Sequence, residues 1–340
     1  MEKQSSNEIK NSTKLSIKTI SELAGVSVAT VSRVINGNGR FSAETERKVR
    51  DIIEKYNYKP NMIAKGLRTN VSKSVGIIIP DITNEFFSSI VRELEMLLFQ
   101  KGYTAFICNT DESEEIENKY YWDLCSKGVD GLIYLSGKVS KSDNLVQVPT
   151  IFIDRTIPSD QKNIVIESDN FRGGIMATEE LLAKGCKKIV LIRDERQIST
   201  IQDRYQGYCF ALKKAGIEVD EKLVMRVYPI SYQSAKEGMK KLIAQGIEFD
   251  GVFATTDWMA LGAIDALRES GRKLPDDVKV VGFDNISISK FSSLPITTIS
   301  QDFYKMAEEA VHLLMEMMNG QEIEIKTYHT PVTLIRRESC

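Results

Sequence analysis

Apolar positions in residues 15–69 recur every three or four residues, whereas from Val75 onward they come as short unbroken runs. The first spacing is that of amphipathic helices and the second that of strands covered on both faces. Ile17, Ile20, Leu23 and Ala24 predict a short helix that Gly25 stops, where a sharp turn needs a positive φ. Ser27 is a good N-cap for a second helix, in which Val31, Val34 and Ile35 face the first. Ser42 caps a third, where Val49, Ile52, Ile53 and Tyr56 fall at i, i+3, i+4 and i+7 and close a three-helix core. A fourth segment, PNMIAKGLRTN, starts with Pro60 in the first turn and is too short to stay helical unaided. Beyond it, VGIIIP, YTAFICN, DGLIYLS, TIFID, KKIVLIRD, DGVFATTD and VKVVGFD alternate with helical stretches at 86–101, 113–127, 203–215, 234–245 and 257–270. That alternation predicts parallel β-α-β units, and so many strands suit two doubly wound sheets better than one.

The expected organisation is a disordered polar tail (1–14), a small all-α helix-turn-helix head (15–59), a hinge helix with linker (60–73) and an α/β body (74–340). Charge sharpens this division. The whole chain carries a net charge of −2, yet residues 1–73 hold 14 Lys and Arg against 7 Asp and Glu, leaving the remainder acidic. A basic head on an acidic body suits a polyanion-binding head, with a merely solvated basic helix surface as the alternative. The five cysteines form no CxxC pair and have no close histidine, so they read as reduced thiols rather than a zinc or redox site. The polar N-terminus lacks a signal-like apolar stretch and no run approaches the ~18 apolar residues of a membrane span. A cytoplasmic protein with no membrane partner is expected.

The outward stripe of the second helix carries the chemistry of a major-groove reader. Arg33 can donate to a guanine edge or a phosphate, and Val28 and Ala29 are apolar where a solvated stripe is ordinarily polar, as contact with thymine methyls requires. Ser27 and the free N–H groups beside it suit a phosphate. The run SIKTISELAGVSVATVSRVINGNGRFSAETERKVRDIIEKYNYKPNMIAKGLR resembles the DNA-binding head and hinge of the lactose-repressor family of bacterial regulators. The resemblance implies that Val28 and Ala29 read bases, that Thr30, Ser32, Arg33 and Asn36 hold or read DNA, and that Arg40, Ser42, Thr45 and Tyr58 face the backbone. It also implies a hinge that becomes helical on DNA, with Leu67 as the apolar wedge in the minor groove and Asn61 and Ala64 on the same face. A short helix stabilised by its partner and by DNA agrees with helix physics.

In doubly wound sheets ligands sit beyond the C-terminal strand ends. Those ends are Asp81, Asn109, Ser136, Asp154, Arg193 or Asp194, Asp257 and Asp284, a set suited to a hydroxyl-rich metabolite. For any one of them, capping of the following helix is an equal explanation. No phosphate-binding glycine motif, GxSxG elbow or HExxH occurs, so neither an enzyme nor a cofactor is indicated. His312, on an apolar helix, reads as a core or interface residue. PDITNEFF, DRYQGYCFAL, TTDWMALGAIDALRESG, VVGFDN, LPITTISQDF and PVTLIRRES resemble the effector domain of the same family, which has a periplasmic-binding-protein-like fold. This implies lobes of about 74–167 with 299–328 and about 168–298 with 329–340. It also implies effector contacts at Phe86, Phe87, Asp154, Arg204 and Asp257, with core packing an equal reading for the two phenylalanines. Two departures stand out: Glu85 where the family often has proline, and the charged loop RDERQIST. Either charges favour a charged or aminated ligand or they are solvated.

No leucine-heptad tail follows PVTLIRRESC, so a two-fold dimer on a pseudo-palindromic operator is expected rather than a tetramer. The function expected is a regulator, a repressor by preference, whose DNA affinity follows a small sugar-like effector bound between the lobes. The alternatives are a cytoplasmic small-molecule receptor or an enzyme on the same body. A protein co-effector, and whether the ligand induces or corepresses, stay open.

Overall fold

The structure is a computed structural model that describes residues 16–58, 71–135, 148–154, 163–196, 198–324 and 327–340. It separates into two compact units, Met1–Ser72 and Lys73–Cys340. In the first unit α1 (Ile17–Ala24), α2 (Val28–Asn36) and α3 (Ala43–Lys55) surround Ile20, Ala24, Val31, Val34 and Val49. Each helix begins at a serine, Ser16, Ser27 or Ser42, whose hydroxyl accepts the N–H three residues on. Gly25 and Gly37 end the first two at φ 66° and 63°. Tyr58, not Tyr56, packs beside the core; Tyr56 is the C-cap of α3, so its position points it away from the apolar stripe.

The second unit holds two six-stranded sheets. In the first, β1 (Ser74–Ile79) lies between β2 (Thr104–Asn109) and β3 (Gly131–Tyr134), followed outward by β4 (Thr150–Ile153), β5 (Ile164–Ser168) and β11 (Thr327–Thr330), all parallel. The second runs β12 (Val332–Ile335), β10 (Thr297–Gln301), β9 (Lys279–Asp284), β8 (Gly251–Ala254), β6 (Ile189–Asp194) and β7 (Val224–Val227), with β12 alone antiparallel. Helices α4 (Glu85–Gln100), α5 (Glu114–Ser126) and α11 (Phe303–Met318) pack on the first sheet, and α6 (Asn170–Ala183), α7 (Ser199–Lys214), α8 (Tyr232–Ala244), α9 (Asp257–Glu269) and the short α10 (Ser287–Phe291) belong with the second.

The expected lobe boundaries move by a few residues. Ile299–Gln301 pair with β9 and β12 in the second sheet, so the chain crosses back after Gln301 rather than before residue 299. His329 and Thr330 pair with β5 in the first sheet, so the final crossing falls at Pro331. Helix α6 escaped the periodicity because Gly173 and Gly174 stand inside it, and glycine disfavours helix interiors. Here close packing requires them. A Cβ on Gly174 would stand 2.3 Å from the carbonyl oxygen of Arg204 on α7, and one on Gly207 would stand 2.3 Å from that of Phe171. His312 is exposed on α11 beside Glu316 rather than in the core. Among the described residues no helix is long and apolar enough to cross a membrane.

Candidate DNA-binding head and effector cleft

On the head, α2 turns Val31 and Val34 inward and leaves Val28, Ala29, Arg33 and Asn36 exposed, with Thr30 and Ser32 half-buried between. Val28 is 40% exposed on the same stripe as Ala29 and Arg33, so the three together present an outward surface of mixed apolar and basic character. Ser27 accepts from Thr30 N at 3.1 Å and pairs with its hydroxyl at 2.9 Å, fixing where the helix starts. Ser42 and Thr45 repeat the same arrangement at α3. The Arg33 side chain lies along Gly39, where a Cβ would come within 3.0 Å of its Cδ. Asn36 donates one amide N–H to the Ser32 carbonyl at 2.7 Å, which orients its side chain along the helix. Arg40 is exposed, whereas Tyr58 is half-buried against the head core, and burial raises its hydroxyl pKa. The expected hinge contacts Asn61, Ala64 and Leu67 lie outside the described residues.

In the second unit a cavity of about 250 Å³ opens at the C-terminal strand ends of both sheets. Of the residues named in the sequence as effector contacts, Phe86, Phe87 and Asp154 line it from the first lobe and Arg204 from the second. The two phenylalanines serve both readings: they border the cavity and are 6% and 5% exposed within the lobe core, edge-to-face at 5.1 Å. Asp154 holds a positive φ of 74° directly after β4.

Arg204 is the anchor. It is 3% exposed, stacks 3.6 Å over the Phe283 ring, donates from Nε to Asn170 at 2.9 Å and from Nη1 to the Thr255 carbonyl at 2.6 Å, and stands 3.6 Å from the Asp284 carboxylate. Burial lowers its pKa, while the carboxylates of Asp284 and Asp154 pull the other way.

Asp257 is not part of the cavity. As the first residue of α9 it points inward, fully buried, and its carboxylate accepts from Ile286 N at 2.9 Å and from the Thr298 hydroxyl at 2.5 Å. It ties α9 to β10 and to the chain after β9. Thr256, the N-cap before it, and Asp284 line the cavity instead. Asp284 was visible as a strand end, and two other strand ends, Asp81 and Asp154, line the cavity with it; the convergence of β9 with α7 is what puts Asp284 against Arg204. Of the rest, Asn109 accepts from Ile82 N, Arg193 stacks on Tyr205, Asp194 holds Arg196, and Ser136 lies outside the described residues.

Both family departures turn out to bridge the lobes. Glu85 accepts from Ser287 N at 2.7 Å and from its hydroxyl at 2.6 Å. Arg196 meets Asp194 at 2.8 Å within its own lobe and Glu112 of the other lobe at 2.7 Å.

Burial raises the Asp284 carboxyl from 3.8 to about 7, with Arg204 opposing and Asp154 adding to the rise. The folded chain therefore keeps a proton that the unfolded chain has already lost between these values, and stability falls as pH rises through that interval. Thermal unfolding of wild type and Asp284→Asn between pH 4 and pH 8 should show a smaller loss toward high pH in the variant; parallel curves would refute the assignment.

Residues 16–61 match the family described as "Bacterial regulatory proteins, lacI family", and residues 178–340 match "Periplasmic binding protein-like domain". The HTH-type transcriptional regulator RegA of Clostridium saccharobutylicum is 36% identical over 95% of this chain and 98% of its own length. The lac repressor dimer bound to operator and the anti-inducer ONPF superposes with a TM-score of 0.87 at 26% identity, covering 96% of this chain and 99% of the repressor. A LacI family transcriptional regulator from Enterococcus faecium with bound ribose gives 0.70 at 29% identity over 78% of this chain and 98% of the other.

Proposed function

Because this chain belongs to the lacI family of bacterial regulatory proteins, we propose that it is a cytoplasmic repressor in which a sugar-like metabolite, held between the lobes at Arg204, sets the affinity of paired heads for a pseudo-palindromic operator. It is a DNA-binding transcription regulator, not an enzyme, and it works as a homodimer on double-stranded DNA. The observation that carries the effector half is the strand-end cavity with a buried, stacked guanidinium beside the Asp284 carboxylate, held in place by its own protein partners. The DNA half rests on the exposed stripe of α2, with Val28, Ala29 and Arg33 at contact positions. The effector sites Phe86, Phe87, Asp154, Arg204, Thr256 and Asp284 replace the expected set, in which Asp257 stood. Ribose in the Enterococcus relative supports a sugar-like ligand.

The experiment is a titration of the full chain with a duplex that the protein selects from a random pool. Arg33→Ala should cost roughly 1–3 kcal/mol on the selected duplex and much less on random DNA. Wild-type binding should weaken steeply with salt. The effector should change operator affinity by the same factor by which operator changes effector affinity. Equal effector affinity with and without operator would sink the regulatory coupling.

A further inference from the structure

The effector cavity is one-sided in charge. Five acidic side chains line it, those of Asp81, Asp111, Glu112, Asp154 and Asp284, the last with its carboxyl raised to about 7, against the two guanidinium groups of Arg196 and Arg204 among the described residues. Both cations are already held by protein acceptors. Arg196 is gripped by the fully buried Asp194 through Nε at 2.9 Å and Nη2 at 2.8 Å, and its Nη1 reaches Glu112 at 2.7 Å across the cleft. Arg204 gives Nε and Nη1 to Asn170 and Thr255 and faces Asp284. An entering phosphate or carboxylate would have to displace a carboxylate from Arg196 or approach Arg204 beside Asp284, and like charges held this close in a partly buried site repel strongly.

Among the described residues the electropositive feature left is the start of α7, where Ile198 offers no side-chain cap to the first N–H groups. Its partial charge of roughly half a unit suits a hydroxyl oxygen but does not offset the carboxylates. The walls add apolar faces from Phe86, Phe87 and Tyr228, the last lying 4.9 Å from the Arg196 guanidinium. A volume of about 250 Å³ is just under the ~300–1,000 Å³ usual for small-molecule clefts, which suits a single ring.

We propose that the effector is a single-ring polyhydroxyl compound without a negative charge and that the Glu112–Arg196 bridge across the cleft is the element that rejects its phosphorylated and carboxylated derivatives. The inference rests on the regulatory reading only in taking this cavity as the effector site. Glu112 rejects anions in two ways, by its own charge and by occupying Arg196, which an anion at the cleft edge would otherwise meet.

The test is calorimetric titration of the full-length chain with D-ribose, D-xylose, D-glucose, D-galactose and D-fructose, each beside its phosphate ester, and with D-gluconate. At least one neutral sugar should bind, and its ester should bind at least about tenfold more weakly. Glu112→Gln should narrow that gap by about tenfold, because Arg196 then becomes free to meet the ester. An ester that binds as tightly as its parent, or a panel in which no neutral sugar binds, overturns the proposed ligand class. An unchanged gap in Glu112→Gln overturns the role of the bridge. A bound sugar that leaves affinity for the selected operator duplex unchanged would count against the regulatory reading alone and leave the charge selection standing.

Discussion

Arg204→Met should abolish effector binding and lower the stability of the body by on the order of 3–5 kcal/mol, the usual result of removing one partner from a buried charge cluster. Methionine fills part of the space over Phe283, so the loss is chiefly electrostatic. Asp284 would keep the 2.7 Å hydrogen bond from Gln301 but feel the Asp154 charge without the opposing guanidinium. Because Arg204 is what holds the Asp284 carboxyl down, its removal should push that carboxyl further up, and the variant should lose more stability at pH 8 than at pH 6. Arg204→Lys keeps the charge but not the planar fork that reaches Asn170 and Thr255 together, so it should recover part of the stability and little of the effector affinity. Thermal unfolding at the two pH values and effector titration read both effects. Wild-type effector affinity in Arg204→Met would show that the anchor lies elsewhere.

Gly174→Ala should be nearly as damaging although it adds a single methyl group. That carbon would stand 2.3 Å from the Arg204 carbonyl oxygen and 3.0 Å from its Cα and carbonyl carbon, all main-chain atoms that cannot rotate away. Helices α6 and α7 would have to separate, and overpacking of this kind costs roughly 1–3 kcal/mol. The same displacement carries Arg204 away from Asn170, which sits on α6 itself, and from Thr255 on the chain after β8. Effector affinity should therefore fall along with the melting temperature, as expected where a site depends on exact support from the packing beneath it. A variant that melts lower but binds effector normally would show that the helix contact is structural only.

Much of the molecule was legible in the residues because much of it is decided locally. The head follows from neighbours within one helical turn: Ser27 and Ser42 each accept the N–H three residues on, Gly25 takes the left-handed turn, and the apolar stripe of α2 leaves Val28 and Ala29 outside. The central strands β1, β3, β6, β8 and β9 announced themselves as apolar runs because helices cover both their faces. The short strands β5, β7, β11 and β12, carrying polar residues or lying at or beside the sheet edges, gave no such signal.

The cleft was legible as a set of strand ends, but not in its membership. Asp257 and Asp284 look alike in sequence, each an acid where a strand run closes. Asp257 is turned inward as the first residue of α9 and is engaged by Ile286 and Thr298, whereas Asp284 turns into the cavity beside Arg204. Glu85 and Arg196 read as charges at a cleft edge, with no partner within a few residues to suggest a bridge. Their partners Ser287 and Glu112 are 202 and 84 positions away. The sequence by itself determined the three head helices, the central strands and the body helices with clear periodicity, where the head's outward stripe lies and which ends of the strands carry polar groups, since caps, turns and apolar periodicity act over a few residues. Only the tertiary structure decided which of those polar groups share a cavity, which bridge the lobes and why two glycines sit inside a helix, since each of these depends on contacts between segments that the chain itself keeps far apart.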